Sequence, residues 1–174
     1  MDHPLERLKS ICQSVGAKII VCSRQTTAQV ANLAPTVVPV YDNAFPGNSI
    51  NSTPPSVSPD NALYAVFTSG TTAAPKSIVI EHASFCSASE GFGEVFHLGP
   101  KSRVLQFASH NFDVSVADYL ATLIRGGCVC IPKESDRKNR LAQATLEMKA
   151  NTVGLTPSLA RILSPSDFPT LQIM

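Results

Sequence analysis

Short β-branched runs alternate with stretches of helical period along most of this chain, and that alternation restricts the fold more than any other feature. Residues 18–22 read as a short buried strand, and residues 36–40 as a strand that Pro39 confines to a sheet edge. Residues 62–68, 77–81, 103–107, 128–131 and 152–155 are further strands, and residues 171–174 begin another. Between them, Leu5, Leu8, Ile11, Cys12 and Val15 mark a helix that closes near Gly16. Residues 25–33 form a short helix, and residues 82–96 a longer one with two internal glycines. Residues 114–124 are helical and end on Gly126-Gly127, the pair a left-handed cap requires. The spacing of Leu141, Ala144, Leu146 and Met148 predicts one amphipathic helix over residues 136–150, and Pro157 opens a last short helix. Strand-helix-strand order of this kind implies an α/β fold, a mainly parallel sheet with flanking helices.

Residues 41–61 interrupt the pattern. They are rich in Pro, Ser, Asn and Gly, which predicts a long, exposed and flexible connection. The strand that follows runs into Phe67-Thr68-Ser69-Gly70-Thr71-Thr72-Ala73-Ala74-Pro75-Lys76-Ser77. Such a loop suits the oxygens of a polyphosphate. The hydroxyls of Thr68, Ser69, Thr71 and Thr72 donate, Gly70 lets the backbone come close, and Lys76 adds a point charge. A polar surface turn accounts for the same composition by local rules alone. A Walker-type loop does not fit. Pro75 stands where its second glycine belongs, and Ile78-Val79-Ile80 continues as a strand instead of the helix whose N-terminus would hold the anion.

A second constellation lies within residues 104–132. Asp113 stands at a predicted helix start, and by spacing alone it is an N-cap or first-turn acid worth roughly 1 kcal/mol.

The bulk numbers exclude several classes of function. With 44% hydrophobic and 16% charged residues the chain is globular. A net charge of +1 gives no electrostatic case for nucleic acid or anionic lipid. No apolar run approaches the roughly 20 residues of a membrane span. The first residues lack the layout of a signal peptide. The cysteines (Cys12, Cys22, Cys86, Cys128 and Cys130) sit among apolar residues, which predicts buried free thiols and a reducing, cytoplasmic compartment. Neither they nor the histidines have metal-ligand spacing, so no metal residue is assigned.

Residues 63–82 resemble the Ser/Thr/Gly-rich phosphate loop of the adenylate-forming enzymes. Phe112-Asp113-Val114-Ser115 resembles the Phe-Asp-x-Ser motif of adenylation domains of nonribosomal peptide synthetases, especially the fungal ones. His3 to Leu8 with Gly16-Ala17-Lys18, and Leu155 to Ala160, extend the likeness over nearly the whole chain. The resemblance implies a partial large N-terminal domain over residues 1–174, without the small C-terminal domain. The complete enzyme would activate an amino acid with ATP and Mg²⁺ and load it on the phosphopantetheine of a carrier domain, beside condensation domains. Thr68, Ser69, Gly70, Thr71, Thr72 and Lys76 would hold ATP phosphates. Asp113 would meet the α-amino group of the substrate, with Val114, Ala117 and Gly154 in the same pocket. No residue here is assigned a catalytic role, because the family's catalytic lysine belongs to the small domain, and the chain alone is expected to be inactive. An acyl-CoA ligase-like fragment is the alternative within the superfamily, and Asp113 argues against it. A non-catalytic remnant that binds nucleotide or a partner is a further alternative. It is motivated by Ala73 and Ser77, which replace glycines of the family loop.

Overall fold

The computed structural model describes residues 4–41, 53, 55–68 and 76–173. Most of the 41–61 connection lies outside the described residues, as do Ser69, Gly70, Thr71, Thr72 and Ala73 and the side chain of Thr68. The chain divides into two compact units, residues 1–57 with 67–77, and residues 58–66 with 78–174.

In the first unit, helix α1 (Leu5–Ser14) leads to strand β1 (Ile19–Ser23), and the short helix α2 (Thr27–Val30) leads to β2 (Thr36–Val40). The strands pair in parallel, with Ile19 opposite Thr36 and Cys22 opposite Pro39. Strand β1 was expected to be buried and is only half so. Ile19 and Val21 are exposed while Ile20 and Cys22 are partly covered, the period-two alternation of a ribbon with one covered face. Val30 of α2 is buried.

The second unit takes in most of β3 (Ala62–Thr68) and β4 (Lys76–Glu81), which pair with each other. Helix α3 (His82–Val95) follows without a capping side chain. Its first amides donate instead to the carbonyls of Asn61 and Pro59, at 3.0 and 2.9 Å. Then come β5 (Arg103–Leu105), α4 (Asp113–Ile124), β6 (Cys128–Cys130), α5 (Glu134–Asn139), α6 (Leu141–Glu147), β7 (Thr152–Val153) and α7 (Pro157–Ala160). The parallel sheet has the order β6-β5-β7, with Leu105 opposite both Cys130 and Val153. Among the described residues of the segment predicted as a last strand, Ile173 alone forms a strand bridge, parallel to Thr152.

The central strand organises two cores, because consecutive side chains point to opposite faces. Val104 packs with Phe85, Leu98 and Ala121 on one face. Leu105, with no exposure at all, packs with Cys130, Ala150 and Val153 on the other. Full burial of such a leucine contributes about 2 kcal/mol.

Helix α1 ends on Gly16 and α4 on Gly126, at φ +59° and +76°. Helices α3 and α6 end in the same way without glycine, on His97 (φ 49°) and Lys149 (φ 51°). Each end closes with a pair of backbone bonds. Beyond α6, Lys149 donates to Leu146 at 3.0 Å and Ala150 to Thr145 at 2.9 Å.

Two expectations need correction. The predicted helix over residues 136–150 is two helices, broken at Arg140 (φ −140°, ψ 39°). The half before the break carries no apolar residue and buries none, whereas α6 buries Ala144 and Thr145, so packing holds only the second half to the core. The thiols are free, as expected, but Cys130 alone is buried. Cys86 and Cys128 are exposed, and Cys12 and Cys22 are half-buried.

Candidate functional site

Between β5 and α4 the chain turns through residues 106–112 and re-enters as a helix whose first residue is Asp113. Phe112 occupies the cap position with extended backbone, and no side chain caps the helix. Asp113 is therefore a first-turn acid, favourably placed at the positive end of the helix dipole, and its side chain is exposed. The hydroxyl of Ser115 donates back to the carbonyl of Phe112 at 2.7 Å, which fixes the entry of the helix.

A cavity of about 640 Å³ opens beside this helix start. Its walls are mostly apolar, with Phe92 and Phe96 from the end of α3, Phe107 and Phe112 from the turn, and Leu155 beyond β7. Val114, Ala117 and Gly154 all line it. Asp113 does not. It lines an adjoining cavity of about 220 Å³ with Tyr64 and Phe85, and Val114 and Ala117 form walls of both. The Tyr64 phenol is pushed up by burial and, secondarily, by the Asp113 charge.

Lys76 is exposed at the first position of β4, and Ser77 beside it is exposed too. The rest of the predicted phosphate loop lies outside the described residues.

Asp118 is the functional candidate that motif reading passed over. It faces the large cavity and is 4% exposed. Burial pushes its carboxyl up to about 6, against the opposing pull of the backbone amides of Ala108 and Phe107. Its Oδ2 is buried without a hydrogen-bond partner, and a Cβ added at Gly154 would lie 3.8 Å from its Oδ1. A signal was available in the sequence. Ser115, Asp118, Ala121 and Thr122 recur at helical spacing and form the buried stripe of α4.

Two further polar residues hold the turn after β5. Gln106 donates from Nε2 to the carbonyl of Ala108. Arg137 of α5 donates to the carbonyl of Phe107 at 2.9 Å and lies over its ring, 5.7 Å from the centroid. Glu134 grips the other edge of Arg137 through bonds of 2.7 and 2.8 Å, and these, with Lys138, hold its carboxyl down at about 2.

The AMP-binding enzyme family matches residues 1–173. This chain belongs to that family. Among AMP-binding relatives, nonribosomal peptide synthetase anaPS of Neosartorya fischeri is 41% identical over 174 residues, 99% of this chain and 7% of that protein. Nonribosomal peptide synthetase 9 of Aspergillus fumigatus is 42% identical over 174 residues, 99% of this chain and 15% of that protein. The chain thus spans a small part of the relatives it matches. Among solved structures, the nonribosomal peptide synthetase FmoA3 in its AMPPNP-bound form superposes with a TM-score of 0.79 at 23% identity, over 98% of this chain and 19% of that one. VinN in complex with L-aspartate gives 0.75 at 20% identity, over 98% of this chain and 46% of that one. These likenesses show the adenylate-forming fold. Among the described residues no helix is long and apolar enough to cross a membrane.

Proposed function

We propose that this chain is part of the adenylation domain of a nonribosomal peptide synthetase. The complete domain joins an amino acid to ATP. A carboxylate oxygen attacks the α-phosphorus, the bond to pyrophosphate breaks, and an aminoacyl-adenylate forms. The thiol of a phosphopantetheine arm on a carrier domain then attacks the acyl carbon, the bond to AMP breaks, and a condensation domain uses the resulting thioester.

One observation carries this reading. Val114 and Ala117, one turn apart on α4, share the wall of one large apolar cavity with Gly154, distant in sequence, and Asp113 opens the helix next to it. An apolar chamber beside an exposed carboxylate suits a molecule with an apolar body and an ammonium group. The same carboxylate disfavours a fatty acid that offers it no cation. Similarity to fungal synthetases over 99% of the chain supports the same assignment.

For ATP, the hydroxyls of Thr68, Ser69, Thr71 and Thr72 and the ammonium of Lys76 form a donor set that fits phosphate oxygens, with Gly70 allowing close approach. Mg²⁺ would arrive on those phosphates and neutralise their charge. Among the described residues no cluster of carboxylates, histidines or thiols forms a separate metal site. The free thiols support the cytoplasm as the compartment.

The test is amino-acid-dependent exchange of pyrophosphate into ATP, run with the full-length protein over all proteinogenic amino acids. Exchange with one or a few of them is expected. Exchange with none, under saturating MgATP, removes the reading.

A further inference from the structure

The turn that follows β5 is gripped from several sides at once. Gln106, itself 2% exposed, donates to the carbonyl of Ala108. The buried carboxyl of Asp118 of α4 lies beside the turn, where the amides of Ala108 and Phe107 favour its charged form. Arg137 of α5 donates to the carbonyl of Phe107 at 2.9 Å and covers its ring. Polar groups of two successive backbone residues are thus engaged by side chains from separate elements. The same residues, Phe107 and Ala108, are a wall of the large cavity.

A cavity wall made of a turn is ordinarily the mobile part of a site, since few buried contacts restrain it. Here the restraint comes from polar side chains, and Arg137 is the one that reaches furthest, bridging 30 residues of sequence. Its own orientation is set from behind. Glu134 takes the Nε and NH2 edge of the guanidinium at 2.8 and 2.7 Å, which leaves NH1 aimed at Phe107. A planar fork can satisfy both partners and stack on the ring together, which an ammonium group cannot.

We propose that Arg137, oriented by Glu134, is a positioning residue of the substrate cavity. It fixes the wall at residues 107–109 against which the bound molecule packs. What fills the cavity rests on the adenylation reading. The clamp itself does not.

The experiment uses the full-length protein as wild type, Arg137→Lys, Arg137→Ala and Glu134→Gln, with two measurements on each. Hydrogen exchange of the amides at residues 108–110 is expected to quicken about tenfold in Arg137→Ala, and less in the other two variants. Amides of α3 should keep their protection. In amino-acid-dependent pyrophosphate exchange, KM for the amino acid is expected to rise about tenfold in Arg137→Ala with kcat within about twofold of wild type, and Arg137→Lys should recover part of the loss. Unchanged protection of the turn overturns the proposal. So does a rise in KM that comes with a parallel fall in kcat and in melting temperature, which is what loss of general stability would give. Loss of protection in Arg137→Ala, together with a wild type that exchanges with no amino acid, leaves the clamp standing and removes the adenylation reading.

Discussion

Arg125 lies directly against the backbone of Gly93. A Cβ built on that glycine would fall 2.7 Å from the arginine Nε, and the guanidinium donates to the carbonyl of Glu90 at 2.9 Å. One of the two internal glycines of α3 is therefore a landing place for an arginine from the end of α4. The other, Gly91, faces open space. Gly91→Ala should stabilise the protein by about 0.5–1 kcal/mol through helix propensity alone. Gly93→Ala should show none of that gain, because Arg125 must leave its carbonyls. Urea unfolding of both variants checks this, and an equal gain in the two would show that the arginine contact is worth nothing.

Asp118 should give the protein a measurable pH dependence. Its native carboxyl is pushed up to about 6, from an ordinary value of 3.8. Between those values the native state holds a proton that the unfolded state has released. Stability is therefore greatest below about pH 4 for this group and falls as pH rises through 6. The loss is at most about 3 kcal/mol. Asp118→Asn keeps a neutral group of the same shape and should flatten the stability curve from pH 4 to 7. Glu134, with its carboxyl held at about 2 from an ordinary value of 4.5, acts between those values and in the opposite sense, so it touches only the lower edge of that window. Equal slopes in wild type and variant would show that Asp118 is not the titrating group.

Lys149 and His97 hold left-handed backbone that side chains resist. Lys149→Gly should raise stability by about 0.5–1 kcal/mol. It removes the strain of roughly 1–2 kcal/mol and gives part of it back as unfolded-chain entropy. The closing bonds at Leu146 and Thr145 use backbone only and survive the change. A lower unfolding midpoint would mean that the lysine side chain makes a contact worth more than the strain.

The phosphate loop offers a contrast between two substitutions. The resemblance makes Ala73 and Ser77 replacements of glycines, and both would then weaken ATP binding. Ser77, however, lies within strand β4 and has no positive φ, so any residue suits its backbone. Ser77→Gly is expected to leave MgATP affinity unchanged and to weaken the strand slightly. Ala73→Gly is expected to raise the affinity several-fold, if position 73 is where the loop needs glycine. Isothermal titration with MgATP separates the two, and a gain confined to Ser77→Gly would reverse the assignment.

Much of this was legible from residues alone. Strand β3 has the bounds read for it from the sequence, and α4 starts one residue before its first apolar position, because Asp113 serves as a first-turn acid. The break at Arg140 was not legible. The apolar period of α6 fades gradually into charged residues, and only burial shows that packing stops there. Asp118 could have been found, since it sits on the stripe of Ser115 and Ala121. The grip of Arg137 on Phe107 could not, because a contact across 30 residues depends on how β5 and α5 come to lie together.

Asp113 is the residue on which the substrate assignment turns. It is exposed at the start of its helix, caps nothing with its side chain, and lines the cavity next to the one that Val114, Ala117 and Gly154 share. Its loss should cost the fold little, about 0.5 kcal/mol from the helix dipole. Binding should suffer far more. A charge-assisted bond to an ammonium is worth about 1.5–3 kcal/mol, so Asp113→Ala should weaken the cognate amino acid roughly 10- to 100-fold. The des-amino analogue of that amino acid should bind the variant at least as well as the wild type, since in the variant no carboxylate is left facing a ligand without a cation. Calorimetric titration of both ligands into both proteins makes the comparison. An equal loss for the two ligands would mean that Asp113 shapes the helix start and does not read the amine, and the acyl-acid alternative would then lead.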